Sequence, residues 1–135
     1  MGLAERRAVE EFKDKQFPAL KQEIDQAAGF DVPLEVQWDT LAAEGYSHLY
    51  ADAFPKVYFV PLRDAVKAIA VDQMGKDALK GGLKKVLVAN TKEGFSCSSF
   101  SFEGGTLTID HQPCSNIDDV GERTTGIQKM LEEKL

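Results

Sequence analysis

Both cysteines of the chain and one of its two histidines fall between positions 95 and 114, in FSCSSFSFEGGTLTIDHQPC. Cys97, His111 and Cys114 are metal-ligand and nucleophile types, and Ser98 beside His111 would pair a hydroxyl with a base. Either chemistry needs the side chains to converge. Gly104-Gly105 reads as a two-residue hairpin turn, because glycine adopts positive φ at little cost. That turn sets Glu103 opposite Thr106, Phe102 opposite Leu107, Phe100 opposite Ile109 and Ser98 opposite His111. Alternation then puts Phe100, Phe102, Leu107, Ile109, Ser98 and His111 on one face, and Cys97 with the polar residues on the other.

Cys97 and His111 therefore point to opposite sides, whereas zinc needs ligands meeting at about 2.0–2.3 Å. The His111-x-x-Cys114 spacing survives, with two ligands only and Pro113 between them. Cys97 and Cys114 would sit diagonally at roughly 7–8 Å, beyond the usual ~4.4–6.8 Å between bridged α-carbons. The expectation is two free thiols, no metal and no cofactor. A Gly-x-Ser-x-Gly elbow, a Walker loop and a Gly-x-Gly-x-x-Gly fingerprint are all missing, so the reading leans away from an enzyme.

Two other groups of residues could do work. Trp38, Tyr46, His48, Tyr50 and Asp52 form a polar-aromatic set around an irregular stretch, where ligand-binding loops often lie. Ser99, Ser101, Thr106, Thr108 and Asp110, with Cys97 and Gln112 beside them, make a hydroxyl-rich outer hairpin face. Such a face meets water or a partner.

The elements that must position these residues are largely readable. Val9, Phe12, Leu20 and Ile24 recur at helical spacing, with a break at Phe17, Pro18 opening a second piece and Gly29 capping it. VPLEVQW alternates as a strand. Asp39 to Phe54 suggests short helical turns. KVYFV, between Pro55 and Pro61, reads either as an edge strand or as a helical turn. PLRDAVKAIAVDQM is an amphipathic helix stopped by glycines after KDALK, and KKVLVANT is a strand apolar enough to be central. Ile117, Val120, Thr124, Ile127, Leu131 and Leu135 define a final helical stripe, with Ser115 and Asp118 spaced as a capping box. The expected fold is α+β: one domain over 1–135, a two-layer sandwich with a mainly antiparallel sheet. Its strands lie near 33–38, 84–91, 95–103 and 106–112, and N-terminal, middle and C-terminal helices pack on one face.

Composition narrows the functions. Lys+Arg 16 against Asp+Glu 22 gives a net charge of −6 with scattered basic residues, which argues against nucleic acid. No apolar run is long enough for a membrane span, Arg6 stands where a myristoylation signal has Ser or Thr, and the first residues lack a secretory pattern. A cytoplasmic setting is the expectation. The leading reading is a small acidic protein acting by protein–protein binding, as accessory, chaperone-like or immunity-like proteins of this composition do, with a homodimer left open. The alternative is a small enzyme or ligand-binding domain with a pocket near Trp38, His48 and Tyr50.

Overall fold

The computed structural model describes residues 2–135. Helix α1 (Leu3–Lys15) turns Glu5, Val9 and Phe12 inward at spacings of four and three. Gln16 is the hinge, and α2 (Phe17–Ala28) carries Pro18 in its first turn, where a missing N–H costs nothing. Gly29, at φ 85°, closes α2 in the left-handed region and donates its N–H to Asp25 O at 2.8 Å. Strand β1 (Leu34–Val36) follows.

The stretch with Pro55 and Pro61 is helical. Helix α3 (Tyr50–Phe54) runs into a wider π turn (Pro55–Phe59) and then α4 (Val60–Ile69). In this turn Val60 N–H reaches back five residues to Pro55 O. Pro61 has no N–H to offer, so the helix absorbs it by widening. Helix α5 (Gln73–Gly82) starts at Asp72, whose carboxylate accepts from Gly75 N–H at 2.8 Å.

The sheet comprises β1, β2 (Lys85–Ala89), β3 (Ser101–Glu103) and β4 (Thr106–Asp110) in the order β1-β2-β4-β3. Pairings β1–β2 and β2–β4 are parallel, and only the β3–β4 hairpin is antiparallel. The mixed helix-and-sheet fold with four strands is as expected. The mainly antiparallel pairing is not, because β2 lies beside the second arm of the hairpin rather than the first. The first arm is cut short: Cys97–Ser99 form a 3-10 turn, opened by Ser96, whose hydroxyl accepts from Ser98 N–H at 3.3 Å. A serine run that bonds to its own backbone competes with a ladder. The turn end keeps the expected register, Glu103 to Thr106 and Phe102 to Leu107, with Gly104 and Gly105 at φ 58° and 84°.

Val86, Val88, Leu107, Ile109 and Phe102 share one sheet face and are buried under the helices. Helix α6 (Val120–Lys134) docks through Ile127 and Leu131 as expected, but the third buried residue on that side is Arg123. Leu135 is partly exposed, and the helix starts at Val120 with no side-chain cap from the expected capping box. Among the described residues no helix is long and apolar enough to cross a membrane.

Candidate functional site

Opposite the core face of Val86 and Leu107, the second sheet face is half-buried or exposed over two rows of side chains. The register lines up Glu35, Leu87, Thr108 and Ser101 in one row across all four strands, and Lys85, Thr106 and Glu103 in the next. Glu35 and Glu103 are exposed and the other five are half-buried. Lys85 Nζ pairs with Glu35 Oε2 at 3.4 Å, leaving Leu87 as the one large apolar side chain in those two rows. Of the five hydroxyl-face residues named from the sequence, Ser101, Thr106 and Thr108 lie here.

Ser99 and Asp110 are used inside the fold. The Ser99 hydroxyl donates to Asp110 O and to Ser96 O. Asp110, 2% exposed, accepts from Thr91 N–H (3.0 Å), Lys92 N–H (3.1 Å) and the Thr91 hydroxyl (2.6 Å). Three donors on one carboxylate fix the loop that leaves β2. Cys97, whose turn lies against α6, packs on Gly126, where a Cβ would come within 2.6 Å of Sγ. Burial and the Glu122 carboxylate push the Cys97 thiol up to about 11, and burial also raises Cys114. Both cysteines are free. Ser98 is exposed and His111 is buried, so the expected facing pair does not form. Among the described residues no group of three His, Cys, Asp or Glu side chains is placed to hold a metal.

The sheet has two edges, and they differ. On β3, the Phe102 carbonyl points outward, as a residue of a non-hydrogen-bonded hairpin pair must. Lys134 Nζ covers it at 2.7 Å and pairs with Glu103 at 2.9 Å. On β1 the ladder runs through Pro33, Glu35 and Gln37, marked by Val86 N–H to Pro33 O (2.8 Å) and Gln37 N–H to Val88 O (2.9 Å). The backbone groups of Leu34 and Val36 therefore face away from β2. Among the described residues, no hydrogen bond from another element reaches them.

The sequence-named ligand residues do not converge. Trp38 packs with Phe12, Phe17 and Phe59, at ring-centroid distances of 5.0–6.3 Å, in the aromatic core. Tyr50 is buried, donates to Ala43 O at 2.8 Å and is raised to about 12 by burial; its flank lines a cleft of about 340 Å³ against α1. His48 and Asp52 are exposed, and Asp52 pairs with Lys56 at 3.1 Å.

Tyr46 instead lines a separate crevice of about 310 Å³ with Asn90, Glu93, Gln112, Cys114 and Ser115. This crevice lies beyond the carboxyl ends of the parallel strands, between the loops leaving β1, β2 and β4, the usual ligand position in open sheets of this kind. Asn90, Glu93 and Ser115 carried no sequence signal as a set, because the first two follow β2 and Ser115 follows β4, more than twenty positions later. Compared with protein-family models, curated proteins and solved structures, the chain matches none of them.

Proposed function

We propose that the chain is a binding protein whose partner supplies an extended segment that adds to β1 and lies along the second sheet face. The difference between the two edges carries this reading. One edge is closed by a lysine that occupies its outward carbonyl, a common protection against unwanted pairing. The other offers Leu34 and Val36 with their outward backbone groups free, beside a face of hydroxyls around Leu87. An added strand would gain main-chain hydrogen bonds from β1 and contacts from alternate side chains at the Glu35 and Lys85 pair. The length of β1 suits a segment of only a few residues.

Site-specific photo-crosslinking in native lysate tests it. A crosslinker at Glu35 is expected to capture a defined protein that a crosslinker at Glu103, on the closed edge, does not. Val36→Pro removes the outward N–H while leaving the Glu35 and Gln37 bonds to β2, and is expected to abolish capture with the fold retained by circular dichroism. The proposal fails if capture at Glu35 and Glu103 is the same, or if Val36→Pro captures as well as the parent.

A further inference from the structure

The crevice at the carboxyl ends of the strands has a chemistry of its own. Among the described residues its one charged lining side chain is Glu93, its other polar lining residues include Asn90, Gln112, Ser115 and Tyr46, and no cationic side chain lines it. Asn90 Oδ1 is buried and has no hydrogen-bond partner. Gln112 Oε1 accepts from Ser115 Oγ at 2.6 Å, which orients that amide.

The walls are held firmly. Asp110 fixes Thr91 and Lys92 through three hydrogen bonds, and Gln112 N–H donates to Gly94 O at 2.8 Å, so Glu93 sits between two clamps. Glu93 itself adopts φ 53°, a conformation that a glutamate rarely takes, and the two clamps hold it there. Tyr46, half exposed, brings an aromatic ring to the rim, and such a face attracts cations.

We propose that this crevice binds a small organic cation carrying N–H donors, an alkylguanidinium or alkylammonium. Its charge would meet Glu93, its N–H groups the Glu93 carboxylate and the oriented Gln112 amide oxygen, and its stem the Tyr46 ring. The same headgroup occurs on free amines and on arginine or lysine side chains. This site is separate from the β1 edge, so either can fail without the other.

The test is a titration of the ¹⁵N-labelled full chain followed by amide shifts. Butylguanidinium is expected to shift Asn90, Glu93, Gln112 and Ser115 saturably. Butyrate, with the opposite charge, and tetramethylammonium, with no N–H, are expected not to. Glu93→Gln, at an exposed position that does not threaten folding, is expected to weaken butylguanidinium roughly threefold or more. A capped peptide with a single arginine identifies the source: tighter binding than butylguanidinium assigns a partner's side chain, weaker binding a free cation. Saturable shifts with butyrate, no saturable shifts with butylguanidinium, or an unchanged affinity in Glu93→Gln would overturn the proposal.

Discussion

Arg123 Nη2 donates to the carbonyl oxygen of Lys56 at 3.1 Å, joining the last helix to the π turn across 67 positions of the chain. The bond answers a need that the sequence creates. Val60 N–H is taken by Pro55 O, and Pro61 has no N–H, so the helix leaves Lys56 O without a donor. The same guanidinium donates to Asn116 O at 2.8 Å and to Ile117 O at 2.7 Å, pinning the approach to α6. It is fully buried, and burial is the first cause lowering its pKa.

Arg123→Met should therefore cost about 3 kcal/mol or more in urea unfolding, because three part-buried carbonyls lose one shared, buried charged donor. The double variant gives the sharper reading. Pro61→Ala returns an N–H to the turn, so the Arg123→Met loss should shrink by about 1 kcal/mol in that background. Strict additivity would show that the guanidinium does not serve the turn.

The hairpin makes a contrast between its two faces. Phe102 is 4% exposed beneath the helices, and Phe102→Ala should cost about 3–5 kcal/mol through lost burial and a cavity. Thr106, paired with Glu103 across the turn on the other face, should change stability by less than about 1 kcal/mol when replaced by Ala. Equal losses in chemical denaturation would mean that the two faces are not distinguished.

Stability should fall on mild acidification. His111 is fully buried, and burial is the largest cause holding its pKa below the ordinary 6.5; Arg123 adds to this, while the Gln112 carbonyl and Glu122 pull the other way. The unfolded chain thus takes up a proton before the folded one does. Stability is complete above 6.5 and declines as the pH drops through the interval below it. Glu5, which accepts from Gly45 N–H, and Asp31 beside Lys21 are also held down, and they act only in the lower carboxylate range. Melting temperatures from about pH 7.5 to about pH 5 check the sign, and His111→Phe should flatten this slope. An equally steep slope in His111→Phe would assign the acid response elsewhere.

What was legible in the sequence followed local rules. The α1–α2 hinge, the Gly29 cap, the glycine turn and the buried phenylalanines all come from periodicity or backbone preference. Strand order did not follow, because nothing local says whether β2 pairs with the first or second arm of the hairpin, and the serine run shortened the first. Arg123 was missed because a charged residue is ordinarily assigned to solvent. Its signals were its place four residues before Ile127 and a proline, Pro61, that leaves a carbonyl in need of a donor. Trp38 went to the aromatic core because Phe12, Phe17 and Phe59 surround it. Of its group only Tyr46 reached the crevice, which is assembled from loops far apart in sequence.

The most direct measurement is residue-resolved amide hydrogen exchange, first on the free chain and then with the protein captured through Glu35. In the free chain Leu34 and Val36 should exchange much faster than Gln37, whose N–H is held by Val88 O at 2.9 Å. On binding, Leu34 and Val36 should become protected while the closed β3 edge keeps its rate. Protection that appears at β3, or on neither edge, with Leu34 and Val36 unchanged, would contradict the account.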